Sequence, residues 1–297
     1  MELAELEHLE SVSRLSRDLR VAAQEMGKGE VRYLVDGYYA IQKYRVGAAA
    51  QIRESEKNEE PVAVLSYLAS QAQILENQIK GALDRWSRHQ PVGRWMRAQK
   101  GVGPVISSGL LAHIDITRAP TVGNVYSFAG QIPGQVWAKG QKRPWNAALK
   151  VLCWKLGTSF KRFHGFPDCF YGALYAERKA QEVRNNDRGE FSETAAVTLK
   201  DKKFKKSETR DAYEAGKLPD GRLDLRAMRY PTKLFLSHMH TVMYWNHYGE
   251  LPPVPFSFSM AGGSHSHYIF PPLLEESGFE EVRKLLIKQY GKENSNE

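Results

Sequence analysis

A chain of 297 residues with 42% hydrophobic and 26% charged side chains holds enough apolar surface for one large or two smaller packed domains, which excludes a disordered chain. No run of about 18 apolar residues occurs, so no membrane span is expected. Only Cys153 and Cys169 are present, which excludes a disulfide framework and an all-cysteine zinc site.

The net charge of +8 is unevenly placed. Residues 1–90 carry 12 basic and 14 acidic side chains, residues 91–138 carry 4 and 1, residues 139–206 carry 16 and 7, and residues 207–297 carry 10 and 12. The whole surplus of cations therefore falls between 91 and 206, the distribution expected of a nucleic-acid-binding surface. The acidic, helix-forming residues 1–7 are unlike a signal peptide, and with two lone cysteines they point to a reducing cytoplasm.

In chain order, Leu3, Leu6, Leu15, Leu19, Ala22 and Met26 predict a helix over 2–26, stopped by Gly27 and Gly29. Val31, Leu34, Val35, Tyr38, Ile41, Ala48, Ala49 and Ile52 predict a second over 30–56. The third is the most regular: Leu65, Leu68, Ala72, Leu75, Ile79, Ala82 and Trp86 are spaced alternately three and four apart. That coiled-coil stripe suits either packing within the chain or a homo-oligomer.

The next stretch carries the strongest functional signal. A helix is predicted over 92–99, then the turn Lys100, Gly101, Val102, Gly103, then a helix opened by Pro104 with Val105, Ile106, Leu110, Leu111 and Ile114 as its apolar positions. Glycines can leave backbone N–H groups uncovered at a helix start, where phosphates bind. The pattern resembles a helix-hairpin-helix, which holds the sugar-phosphate backbone without reading bases. A short buried helix over 125–130 follows. The Gly/Pro-rich loop 131–146 then mixes Lys139, Lys142 and Arg143 with Trp137 and Trp145. The cations suit phosphates, and Trp137 suits either a base or the anchoring of its own loop; Trp145 reads as an anchor.

A helix over 146–163 buries Leu149, Leu152, Cys153, Leu156 and Phe160 and leaves Lys150 on another face. Another runs over 171–185. Residues 200–206, with five cations and Phe204, read as an exposed basic segment. An aromatic-rich helix over 224–248, an extended proline segment, a loop or short strand over 262–272 and an amphipathic helix over 275–290 complete the chain. The fold class is mainly α, in three regions: helical or coiled-coil 1–90, helix-hairpin-helix 91–206, helical extension 207–297.

Gly101-Val102-Gly103-Pro104, Gly109 to Ala112, Ser127 to Pro133, and Asn146 to Lys150, in this order, resemble the C-terminal transposase domain of the insertion-sequence-110/116/902 group, the RNA-guided serine recombinases of bacterial mobile elements. The likeness spans roughly residues 62–180. It implies DNA as partner, a guide or structured RNA as a second partner, and recombinase activity in transposition. Two features depart from that family. Its N-terminal ribonuclease-H-like domain has no counterpart in the sixty or so helical residues before the coiled-coil stripe. Its serine loop corresponds to Val136-Trp137-Ala138-Lys139-Gly140, which holds no hydroxyl nucleophile.

The expected function is therefore DNA backbone binding, by Lys100, Gly101, Val102, Gly103, Trp137, Lys139, Lys142, Arg143 and Lys150. Two alternatives stand beside it: a nuclease with a relocated nucleophile or histidine-bound metal, and an RNA-binding scaffold. No Walker loop, Rossmann fingerprint or paired-carboxylate signature occurs, so no cofactor is implied. His238 and His240 on a helix point about 200° apart, too far for one metal. His265 and His267 share a face on a strand, but no metal is assigned to them. Ser107 and Ser108, inside a helix, read as packing or capping groups.

Overall fold

The computed structural model describes residues 14–201, 204–255 and 268–291. Among these, twelve α-helices and two short 3-10 turns form, with no strand, so the protein is mainly α. The helices are α1 (Arg17–Ala22), α2 (Lys28–Lys57), α3 (Ala63–His89), α4 (Pro91–Ala98), α5 (Pro104–His113) and α6 (Val122–Phe128). They continue as α7 (Ala147–Arg162), α8 (Phe170–Asp187), α9 (Ser192–Asp201), α10 (Glu208–Glu214), α11 (Asp220–Tyr248) and α12 (Glu280–Tyr290). The chain divides into two compact units. One comprises Met1–Arg97 and Gly103–Asp115; the other comprises Ala98–Val102 and Ile116–Glu297.

The first unit is built on α2 and α3. Their apolar stripes meet, with Val31, Val35, Ala48, Ile79, Leu83 and Trp86 buried. Among the described residues of this unit the buried polar side chains find partners, as they must away from water. The Glu76 carboxylate accepts from Arg45 Nε at 2.7 Å, and the Trp86 indole donates to the Met26 carbonyl at 2.8 Å. Helix α5 packs against both and is covered almost all round, its Leu110 fully buried. Ser107 Oγ donates to the Pro104 carbonyl and Ser108 Oγ to the Leu83 carbonyl, so both hydroxyls are structural. The coiled-coil stripe divides: Ile79, Ala82 and Trp86 are covered within the chain, while Leu68 and Leu75 are each 46% exposed.

The long helix expected over 2–26 is shorter in its described part. Residues before 14 lie outside the described residues; beyond them Ser16 caps α1, its Oγ accepting from the Leu19 amide, and the chain tightens to a 3-10 turn after Ala22. The short buried helix expected over 125–130 forms as α6, with Val125 buried and Ala129, just past its end, fully buried.

The second unit packs α7, α8 and α11 around Phe160, Tyr171 and Phe235. The Phe160 and Tyr171 rings stack at 4.9 Å, and Phe235 meets Tyr171 edge-on at 5.2 Å. Gly157 sets the crossing of α7 over α11. A β-carbon there would lie 2.8 Å from Thr232 Oγ1 and 3.2 Å from Met228 Cβ, so any larger residue would force the helices apart. Two carboxylates on these helices are buried and answered. Asp224 accepts from Lys161, Lys179 and Tyr175, and Glu182 accepts from Arg178 and Arg226. Two helices were not anticipated, α9 and α10. They close a small core of Phe191, Ala195, Tyr213, Leu218 and Leu223, against which Phe204 of the basic segment packs.

Candidate nucleic-acid interface

The glycine turn forms where the spacing places it, but it is anchored. Gly101 has φ +90°, the left-handed region a residue with a β-carbon rarely adopts. Its carbonyl accepts from Ser159 Oγ at 2.6 Å, and the Lys100 carbonyl accepts from Cys169 Sγ at 3.4 Å. The Val102 amide donates to the Gln99 carbonyl, and the Val102 side chain is buried. Gly103 is extended and caps α5. The Lys100 ammonium pairs with Asp168 at 3.2 Å and lies 4.9 Å from the centre of the Phe166 ring. The turn thus spends much of its hydrogen-bonding capacity inside the protein.

The loop over 131–146 is open and braced. The Trp137 indole donates to the Gln141 carbonyl at 2.6 Å, the Gln141 amide donates to the Ala138 carbonyl, and the Arg143 guanidinium covers the Trp137 ring at 4.6 Å. The Asn146 amide donates to the Phe128 carbonyl, while its side chain caps α7 by accepting from the Leu149 amide. Trp137 therefore holds its own loop, one face covered by Arg143. Trp145 lies under Lys150, whose ammonium sits 3.9 Å from the ring centre. Lys139, Lys142 and Arg143 project into solvent, and none has an ion pair among the described residues. No Asp or Glu occurs between Asp115 and Asp168, so nothing in this stretch offsets their field.

Beside the loop runs a groove of about 380 Å³ between α7 and α11. Lys150 and Trp154, four residues apart, share a face of α7. Arg222, Leu225, Arg226 and Arg229 line the wall given by α11. Arg226 is engaged by Glu182 at 2.6 Å and covers the Phe191 ring. Arg222 and Arg229 are exposed, with no ion pair among the described residues. One turn further on, burial and the Arg229 charge hold the Lys233 ammonium below the usual lysine range. Trp154 is 54% exposed and Leu225 46% exposed. The sequence reading did not single out Trp154, Arg222 or Arg229. The available signal was that Trp154 falls off the apolar stripe of its helix.

Among the described residues, the remaining candidates for chemistry are sealed. Burial pushes the Cys153 thiol up to about 12, which keeps it protonated and inert. His238 Nε2 donates to the Ile269 carbonyl and Nδ1 accepts from Tyr171, both at 2.8 Å. His240 Nε2 donates to the Ala119 carbonyl at 2.8 Å. Both rings are buried and neither is placed to ligate a metal; burial lowers the His238 imidazole to about 3. His265 and His267 lie outside the described residues. Among the described residues no three His, Cys, Asp or Glu side chains converge on a metal-sized site, and no helix is long and apolar enough to cross a membrane. Comparison of the chain with family models, curated proteins and solved structures returned no match.

Proposed function

We propose that this chain binds DNA through the sugar-phosphate backbone, with the 131–146 loop as the main contact, as part of the transposition machinery of a mobile element. The observation that carries the binding reading is the loop itself. Lys139, Lys142 and Arg143 stand exposed on a braced scaffold, in a stretch without one carboxylate. Cations held in this way gain phosphate contacts without first breaking an internal ion pair. The link to transposition rests on the ordered resemblance of the segments from Gly101 to Lys150. Strand cleavage is not part of the proposal, since Val136 to Gly140 holds no serine and the Cys153 thiol is buried.

Fluorescence anisotropy with labelled duplex DNA over a salt series tests this. The variant K139E/K142E/R143E should lose at least tenfold in affinity, and its salt dependence should flatten by about 0.9 in log–log slope for each phosphate contact removed. The variant K28E/R53E/K80E makes the same change in charge at exposed positions of the first unit and should bind almost as the parent does. Equal losses in both variants, or none in the first, would overturn the reading.

A further inference from the structure

We infer that the groove between α7 and α11 takes single-stranded nucleic acid, one base stacking on Trp154 and the flanking phosphates meeting Lys150, Arg222 and Arg229. This rests on the reading above, that the second unit binds nucleic acid, and adds which form of it this groove receives.

The argument starts from how each indole is used. Of the six tryptophans, Trp86 and Trp95 are buried, and Trp137, Trp145 and Trp245 are half-buried. The Trp137 ring is covered by Arg143 and the Trp145 ring by Lys150. Trp154 alone is exposed, with no aromatic, cationic or hydrogen-bonding partner for its ring among the described residues. A large apolar ring left open to water between cations is costly for a solvated face and well suited to a face that receives a base.

The opposite wall supports the same occupant. Leu225 adds a second open apolar side chain between Arg222 and Arg229. Those two arginines are seven residues apart, about 10 Å along the helix axis, so they can take separate phosphates. A duplex presents sugar and phosphate outward and keeps its base faces stacked inside, leaving the indole and the leucine without a role. A single strand exposes base faces and phosphates together. The groove volume of about 380 Å³ falls within the range of pockets that enclose a small ligand, enough for the nucleotide at the stacking position.

The test titrates the full chain with labelled oligodeoxythymidylate, oligouridylate and a blunt DNA duplex. The parent should bind at least one single strand, with quenching of tryptophan emission that Trp154→Ala largely removes. Trp154→Ala should weaken single strands about tenfold relative to the duplex, near the lower end of what one stacked base contributes. Trp154→Phe should recover most of that loss, and R222E/R229E should weaken single strands at least as much. Because these side chains are exposed, all three variants should keep the parent melting temperature. The two homopolymers separate DNA from RNA as the source of the strand. If Trp154→Ala leaves the ratio of single-strand to duplex affinity unchanged, the inference is wrong and duplex binding by the loop still stands. If the parent binds neither strand nor duplex, both fall.

Discussion

Asp224 receives a lysine from α7 and a lysine and a tyrosine from α8, so one carboxylate joins three helices. Burial raises its pKa, but the hydrogen bonds from Lys161, Lys179 and Tyr175 outweigh that and hold it down to about 2. A carboxylate with a lowered folded-state pKa contributes stability that is fully present above the unfolded value and lost as pH falls through the folded one. Here that window runs from about pH 4 down to pH 2, and the contribution is about 2 kcal/mol. Asp224→Asn would leave Lys161 facing a neutral amide, while Lys179 keeps Asp220 at 2.6 Å. A cost of about 2 kcal/mol is expected, seen as a lower urea midpoint at pH 7. An unchanged midpoint would mean Lys161 finds solvent at no cost. Glu182 works in the same way for Arg178 and Arg226: burial opposes its charge, and the two guanidinium groups overcome it.

At the scale of the element, the glycine turn and the basic loop differ in how they are held: the turn is anchored to α7 and to the residue before α8, and the loop stands open. The turn is held from outside itself, by Ser159 and Cys169, at the two carbonyls that a left-handed Gly101 presents. Gly101→Ala should therefore cost stability, about 1–2 kcal/mol of backbone strain, and lower the melting temperature. Affinity for duplex DNA measured well below melting should stay near that of the parent. A large loss of affinity in a variant that melts normally would return the turn to phosphate binding. The long helices α2, α3 and α7 could be read from apolar spacing because each repeats its pattern over several turns, and α11 from its run of aromatics. Helices α9 and α10 could not: each is short and charged, and the buried residues that justify them, Ala195 and Tyr213, meet only after folding. The groove was hidden for a related reason. Arg222, Arg226 and Arg229 sit in a region with more acids than bases, and only the structure shows that Asp224 and Glu182 turn inward while the arginines face out.

For the whole molecule, the charge follows the units. The first carries 14 Lys and Arg against 15 Asp and Glu, and the second 28 against 19. Polyanion binding should accordingly depend on the second unit. A different whole-molecule property follows from the histidines. Burial lowers His238 and His240 in the second unit, and burial and then Arg32 lower His113 in the first. A histidine with a lowered folded-state pKa contributes stability present above its unfolded value, near 6.5, and lost as pH falls toward the folded one. For His238 that window runs from about 6.5 down to about 3, so about 2 kcal/mol should go between pH 7 and pH 5. Urea midpoints at those two pH values should differ in the parent and differ less in His238→Gln. Equal pH dependence in both would contradict the assignment.

The contact at Gly157 has a consequence for how a ligand arrives. Because Gly157 lets the α7 backbone close onto the Thr232 and Met228 side chains of α11, both walls of the slot beside them are tied to one packed core. If the slot takes a strand as inferred above, capture should follow charge-steered diffusion, read as an association rate that falls steeply with added salt; a rate indifferent to salt would point to a slow change in the protein.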